Sequence, residues 1–372
     1  MDGMAADWAT AMASSAYLFR AGRRARLDAA GPREFTYGYA ELAAAGASVA
    51  MIDEAELGID QAWPRALEAV ASRIAALGGV HPRVLARLHA ARERLERFDC
   101  VFATTHTLGL AAAALHRTGR LSAKPFIFTM GLIEPETSAA RIAWLRWLLR
   151  GTALAALSRA EADVLRARLG SGIEVLDFVF GVDLDFWTPS DSGDDDVVLS
   201  IGNDWNRDFA TLVEAWRPDF PPLTIITSLP VQTRKPNVNV ERGDWRSQAI
   251  TDTQLRARLR RARLVVVPLR NTLQPSGQSA AMQAMACGKA VVLSCNRGLW
   301  DRAQLERHRA CSLVPPGDAA ALSAAVAGLL ADRDGARAMG MRARRMLEVE
   351  DVSSAAMARQ VARLARATRS DA

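Results

Sequence analysis

Between Leu264 and Ser294 the chain reads LVVVPLRNTLQPSGQSAAMQAMACGKAVVLS, and the residues able to do chemistry there are Ser276, Gly277, Gln278, Ser279 and Gln283. Small and polar residues where a helix begins leave its first backbone N–H groups bare and let a ligand come close. The same end carries the positive pole of the helix dipole, so the ligand it favours is a phosphate. Gln283 follows Ser279 by four residues and Ser276 by seven, a spacing that predicts one shared helix face. Side chains lean toward the helix N-terminus, which aims the Gln283 amide at whatever sits there; an amide behind a phosphate site suits a ribose. The bland alternative is an ordinary β–α–β unit with a polar cap, because one glycine-containing helix start is a weak motif.

The elements that must position these residues follow from the local pattern. Leu264 to Val267 is too short for a helix and β-branched enough for a buried strand, closed by Pro268. The helix runs to about Cys287, stops at Gly288, and Ala290 to Leu293 begins the next strand, with Met282, Met285 and Ala286 facing the sheet. Upstream, strands are expected at Ala16–Phe19, Val49–Ile52, Cys100–Ala103, Pro125–Thr129, Ala153–Leu157 and near Glu174–Leu176, with a loop over Arg20–Glu34 and helical stretches over Ala66–Arg97, after His106, over Ala139–Arg150 and from Ser158. A second run has strands at Val197–Ile201, Leu223–Thr227, Val238–Glu241 and Leu264–Val267, then SLVPPGD as a turn into a helix over Ala319–Leu330 and two closing helical stretches. Strands alternating with helices predict parallel sheets covered on both faces. The expected fold is therefore α/β with two doubly wound, Rossmann-like domains facing across a cleft, with ligands beyond the carboxyl ends of the strands. The expected divisions are a first Rossmann-like domain over 1–187, a solvated linker over 188–196 (TPSDSGDDD), a second Rossmann-like domain over 197–350, and a final helix over 351–372 that packs back on the first domain.

Composition narrows the class. A chain of 372 residues, half of them hydrophobic, can bury more than one core. Its net charge of +6 is carried almost wholly by arginine, with lysine only at Lys124, Lys235 and Lys289. That excess suits an anionic substrate or a membrane surface, whereas sparse aromatics and no basic run interleaved with them argue against nucleic acid. Cys100, Cys287, Cys295 and Cys311 have neither metal-ligand spacing nor a disulfide framework, which fits a reducing cytoplasm. The start MDGMAADWATAM lacks the basic residues of a signal peptide, and no run of about twenty uncharged apolar residues exists to span a bilayer.

Four segments, in order and at matching spacing between Thr152 and Leu330, resemble the retaining family-4 glycosyltransferases of the glycosyltransferase-B fold. FGVDLDFWTP resembles their interdomain N-G-V-D-x-x-x-F-x-P segment, and VVVPLRNTLQPSGQSAAMQAMACGKAVVLS resembles their donor-site signature. SLVPPGDAAALSAAVAGLL resembles the turn and helix that follow, and TALAALSRAEADVL the strand ending in Ser before a helix of the N-terminal domain. Before about residue 100 the likeness is limited to a helix–Gly–strand pattern at 35–52. The departures define a divergent subgroup. The family's Glu-x7-Glu pair falls on Pro275 and Gln283. Gln283 can still hydrogen-bond a ribose, but Pro275 cannot replace the acid that contacts the donor sugar, leaving Ser276 or Gln278 to compensate. SGQS stands where the family has Gly-Phe-Gly.

Further site residues follow from the resemblance and from position. The phosphate-binding cations of the family follow the first strand of the C-terminal domain, here Gly202-Asn203-Asp204-Trp205-Asn206-Arg207. Arg207 is the cation of that turn and the choice for a diphosphate clamp, with Asn203 beside it and Arg270 assisting from its own loop; the alternative for Arg207 is a solvated surface role. His106, just past a strand, would orient acceptor or donor hydroxyls, and Glu134 would take a proton from an acceptor; a structural role is the alternative for each. The family histidine after the next strand is replaced by Met130.

Two features are set aside. Asp194-Asp195-Asp196 imitates a metal-binding Asp-x-Asp but sits in the expected linker and reads as solvated charge. RIAWLRWLLR (Arg141 to Arg150) is basic and carries Trp144 and Trp147, so it reads either as a covering helix or as a peripheral membrane contact suited to a lipid-linked acceptor. The expected activity is a metal-independent transferase that moves a sugar from a nucleotide-sugar, UDP- or GDP-linked, to a hydroxyl acceptor with retention, in the cytoplasm or at its membrane face and without a cofactor. The alternatives are a non-catalytic nucleotide-sugar-binding or scaffold subunit, motivated by Pro275 and Met130, and a nucleotide-sugar epimerase on the same fold.

Overall fold

The computed structural model describes residues 12–370 apart from 29, 59–64, 191–194 and 244–249. It divides into two units: Met1–Val179 with Ser354–Ala372, and Phe180–Ser353.

The first unit is built on a parallel sheet of β1 (Ser15–Phe19), β2 (Val49–Asp53), β3 (Cys100–Ala103), β4 (Lys124–Thr129), β5 (Ala153–Ala156) and β6 (Glu174–Asp177) in the order β2-β1-β3-β4-β5-β6. Its helices are α1 (Arg23–Asp28), α2 (Tyr39–Ala44), α3 (Arg65–Gly78), α4 (Pro82–Ala90), α5 (Arg92–Leu95), α6 (His106–Arg117), α7 (Ala139–Leu148) and α8 (Arg159–Leu169). Strand periodicity sorts the two faces. Leu18, Val101 and Ala103 meet Leu108, Ala111 and Leu115 of α6 on one side. Tyr17, Phe19, Phe102, Phe126 and Phe128 turn to the other and form a chain of ring contacts that reaches Tyr37 and Phe178.

The second unit repeats the plan with β7 (Val198–Ile201), β8 (Leu223–Thr227), β9 (Val238–Arg242), β10 (Leu264–Val267), β11 (Val291–Ser294) and β12 (Ser312–Val314), all parallel, in the order β12-β11-β10-β7-β8-β9. Its helices are α9 (Phe209–Ala215), α10 (Asp252–Arg261), α11 (Gln278–Ala286), α12 (Arg302–Arg307), α13 (Ala319–Ala331) and α14 (Arg333–Val349). Val198, Leu223, Ile225, Leu264, Val266 and Val292 share a core with Trp216 of the turn after α9 and with Leu322 and Val326 of α13. In each sheet the winding reverses beside the first strand, between β1 and β3 and between β7 and β10, and ligand crevices form at such points.

The last helix, α15 (Ser354–Ser370), returns to the first unit and packs against α2. Gly38, at φ 84°, permits this: a Cβ there would lie 2.6 Å from the backbone of Ala358. Gln360 fastens the same helix to both the N–H and the carbonyl of Val179.

Several sequence expectations are corrected. The first unit ends at Val179 rather than 187, because Phe180–Trp187 is built into the second unit: Arg344 donates to the carbonyls of Leu184 and Trp187, Arg256 donates to that of Phe186, and Trp187 is fully buried. The expected linker is exposed at Pro189, Ser190 and Asp196, as a solvated segment should be, but it is also tied down where it is described: Arg260 holds Thr188, Arg261 pairs with Asp195 and Arg263 with Asp196. Asp194, the remaining member of the acidic triplet, lies outside the described residues. The expected loop over 20–34 contains α1, because the carboxylate of Asp53 accepts from the N–H groups of Gly22, Arg23 and Arg24 and so caps a helix from about thirty residues away. The first three residues of the turn expected at 312–318 form β12, which pairs with β11, and α12 is a helix that the local pattern does not predict. Helix α7 covers the sheet with Ile142, Leu145 and Leu148 while Trp144 and Trp147 stack partly exposed at 5.0 Å. Among the described residues no helix is long and apolar enough to cross a membrane.

Candidate active site

In the second unit the loops that leave β7 and β10 are laced together. Arg207 bridges to Leu269, the Asp208 N–H donates to the Pro268 carbonyl, and the Arg270 N–H donates to that of Asn206. This brings the Arg207 guanidinium to the start of α11. A Cβ on Gly277 would stand 2.9 Å from its Nη1, and one on Gly202 would stand 2.1 Å from its Nε, so the arginine fills space that only glycine leaves at both positions.

The arginine is nearly buried, at 5% exposure, and its Nε lies 2.8 Å from Oδ2 of Asp204. Burial pulls its pKa below the ordinary value and the Asp204 charge opposes that pull. Among the described residues Nη1 has no hydrogen-bond partner. A buried, incompletely satisfied guanidinium beside a helix N-terminus is a cradle for an anion.

Gly277 forms the N-cap of α11 at φ 74°, a conformation that leaves the chain free to expose its next amides. Among the described residues no acceptor meets the N–H groups of Gly277, Gln278 and Ser279. This geometry corrects one expectation: α11 begins at Gln278, so Ser276 precedes the cap and does not share the helical face of Ser279 and Gln283. Ser276 is instead placed by Asn206, whose Nδ2 donates to its Oγ at 3.0 Å and to Oε1 of Gln274 at 2.9 Å. That leaves the Ser276 hydroxyl proton available to a ligand. Asn206 was not singled out from the sequence; its signal was its place in the same turn as Arg207.

Gln278 and Gln283 are both buried, Ser279 is half-buried, and Arg270 is exposed on its loop. Asn203 is not part of the cluster. Its Nδ2 donates to the Gly243 carbonyl and its Oδ1 accepts from the Ser228 N–H, so it ties together the segments that leave β8 and β9.

In the first unit, three strand ends converge on one loop. His106 opens α6 after β3, and its Nε2 accepts from the Met130 N–H at 2.9 Å. That bond places the ring proton on Nδ1, and burial pushes the pKa down to about 4, so the imidazole is neutral. It can orient a hydroxyl through Nδ1–H, but the nitrogen that would take a proton is engaged. Glu134 is half-buried beyond the same loop, with its N–H bonded to Thr137 Oγ1. Its charge adds to the burial that raises Glu161, a buried carboxyl at the start of α8, to about 7. In the sequence Glu161 lies within TALAALSRAEADVL, where nothing local marks it as buried.

At the carboxyl end of β1 the amides that begin α1 are filled by Asp53, itself 3% exposed. Asp53 therefore occupies in the first unit the kind of anion position that stands open at Gly277 in the second. Burial raises the Cys287 and Cys311 thiols to about 12, which makes them poor nucleophiles. Among the described residues no three His, Cys, Asp or Glu side chains gather as a metal-holding group.

Residues 197–332 match the family model of glycosyl transferases group 1. No curated protein matches the sequence. Among solved structures, sucrose-phosphate synthase of Thermosynechococcus elongatus superposes with a TM-score of 0.70 at 18% identity, over 96% of this chain and 99% of that one. HepE of Anabaena in complex with UDP-glucose gives a TM-score of 0.62 at 15% identity, over 95% and 99% of the two chains. α,α-Trehalose 6-phosphate synthase of Burkholderia multivorans gives 0.65 at 12% identity, over 96% and 98%. At these identities the likeness is one of fold, and the fold is glycosyltransferase-B, with two Rossmann-like units.

Proposed function

We propose, for a chain whose residues 197–332 match the family model of glycosyl transferases group 1, that it moves a sugar from a nucleotide-sugar to a hydroxyl acceptor, retaining the anomeric configuration and using no metal. The observation that carries the reading is the buried Arg207 guanidinium, with Nη1 unpartnered among the described residues, set against the bare amides of Gly277, Gln278 and Ser279. These donors suit a diphosphate, and they would stabilise the charge that builds on it as the sugar departs. Gln283 would hydrogen-bond the ribose, Ser276 and Gln278 would face the sugar, and Arg270 would assist from solvent. The HepE complex with UDP-glucose supports a uridine diphosphate donor. With retention, the acceptor attacks from the face the diphosphate leaves, and the departing phosphate oxygen takes the acceptor proton. No carboxylate base is then required, and the engaged Nε2 of His106 fits a role in orientation.

The test is UDP binding by calorimetry to Arg207→Met. Losing charge-assisted hydrogen bonds of about 1.5–3 kcal/mol weakens binding roughly 10- to 150-fold. Unchanged affinity would sink the site. One observation favours a second reading, a non-catalytic nucleotide-sugar-binding subunit: no carboxylate lies between Arg270 and Gln283, where a donor sugar would be gripped. A screen of UDP-, GDP-, ADP- and dTDP-sugars in EDTA separates the two, since slow release of nucleoside diphosphate requires turnover and thermal stabilisation alone does not.

A further inference from the structure

The loop after β4 is held by two side chains that come from different helices. Three successive amides are captured: the Met130 N–H by His106 Nε2 at 2.9 Å, and those of Gly131 and Leu132 by Glu161 Oε1 at 2.8 and 3.0 Å. Gly131 sits at φ 76°, a left-handed conformation that glycine adopts freely, and the turn it makes offers its amides to the two side chains. Glu161 is fully buried, is placed by the Ser158 cap of α8, and has the Thr129 hydroxyl beside its carboxyl group. A buried acid is costly, and a simple structural helix start would not need one. What its position provides is a fixed course for Met130–Leu132 at the carboxyl edge of the sheet, next to the Nδ1–H of His106.

We infer that Glu161 is a positioning residue: with His106 it sets the loop Met130–Leu132, and through that loop the acceptor side of the transfer. The role in transfer rests on the glycosyltransferase reading, whereas the clamp itself does not. Glu161 touches no reacting atom. Its removal should alter the chemical step while leaving the donor site of the second unit intact.

Two measurements test this on the full chain, with Glu161→Met and Glu161→Gln. Gln keeps a carbonyl oxygen for both amides and can donate to Thr129. The first measurement is amide hydrogen exchange at Met130, Gly131 and Leu132. Glu161→Met should speed exchange at Gly131 and Leu132 by about tenfold and leave Met130 nearer to the wild-type rate, and Glu161→Gln should restore both. Unchanged exchange in Glu161→Met overturns the clamp. The second is UDP-glucose hydrolysis, with water as the acceptor, alongside UDP binding. Glu161→Met should lower kcat about tenfold with KM and UDP affinity unchanged, and Glu161→Gln should recover kcat. Faster exchange with unchanged kcat overturns the positioning role. A fall in UDP affinity overturns the separation from the donor site. If the wild-type chain turns over no nucleotide-sugar, the role in transfer is overturned along with the glycosyltransferase reading, and the exchange data still decide the clamp. Should Glu161→Met fail to fold, the exchange rates of Glu161→Gln against wild type carry the decision: loss of protection at Gly131 and Leu132 in that variant refutes carbonyl capture as the holding force.

Discussion

His106 and Glu161 hold one loop, and burial drives their protonation in opposite directions, which makes a specific prediction about pH and stability. Glu161 rises from 4.5 to about 7 in the folded chain. Its contribution is fully present below pH 4.5 and is lost as pH rises to about 7, because the folded state holds a proton that the unfolded state has released. His106 falls from 6.5 to about 4. Its contribution is present above pH 6.5 and is lost as pH falls to about 4. Each change is worth roughly 3 kcal/mol at 1.36 kcal/mol per pKa unit. Between pH 4.5 and 6.5 the two slopes cancel in the wild type, since folding there adds one proton at Glu161 and releases one at His106. Removing either partner should expose the other. The stability of Glu161→Gln relative to wild type should climb by roughly 3 kcal/mol from pH 4.5 to 7, and that of His106→Gln should fall by a similar amount from pH 4 to 6.5. The assay is urea denaturation in half-unit pH steps followed by far-ultraviolet circular dichroism, with each variant compared with wild type at the same pH so that other carboxylates drop out. Flat difference profiles for both variants would refute the assignment of buried, oppositely perturbed groups. Slopes of the same sign would refute the cancellation.

Two glycines give further tests. Gly277→Ala would place a methyl 2.7 Å from Val267 Cγ1 and 2.9 Å from Arg207 Nη1 in a left-handed conformation; UDP binding should weaken at least tenfold by calorimetry, with a stability loss on the order of 1–2 kcal/mol. Gly38→Ala would drive a methyl to 2.6 Å from the Ala358 backbone; it should destabilise the first unit by about 2 kcal/mol or more in denaturant melts, while UDP binding in the second unit keeps its wild-type affinity.

Most of the fold was legible because its signals are local. LVVV and AVVLS are short, β-branched and buried as strands, and Ser158 announces a helix start by its side-chain oxygen. What was missed depends on partners distant in sequence. Helix α1 owes its start to Asp53, and the course of Phe180–Trp187 is set by Arg256 and Arg344. In the site, Arg207 could be named from its turn, but its burial between two glycines could not, because it requires the lacing of the β7 and β10 loops. Asn203 has the right type and place for a ligand, and only the positions of Ser228 and Gly243 reveal where its amide goes. Glu161 was the least legible, since a glutamate three residues after a helix-starting serine usually reads as a capping residue in solvent.

Two units with one architecture differ in a way that physical chemistry can rank. Each sheet has a point of reversed winding, and a helix that starts beyond a strand there would welcome an anion: α1 after β1 in the first unit and α11 after β10 in the second. In the first unit that welcome is taken by Asp53, a residue of the neighbouring strand, which meets the amides of Gly22, Arg23 and Arg24. A phosphate arriving there would have to displace a built-in carboxylate and would meet its charge. In the second unit the amides of Gly277, Gln278 and Ser279 meet no acceptor among the described residues, and beside Gly277 lies a buried guanidinium whose Nη1 is unpartnered there. Among the described residues the ion pair of that arginine is with Asp204. The same fold thus offers two anion positions, one filled by its own chain and one left for a ligand, and the open one adjoins Gln283. By this reasoning Asp53→Asn should not create a second UDP site while its amide oxygen still caps α1, whereas a diphosphate on the second unit gains both the bare amides and the cation.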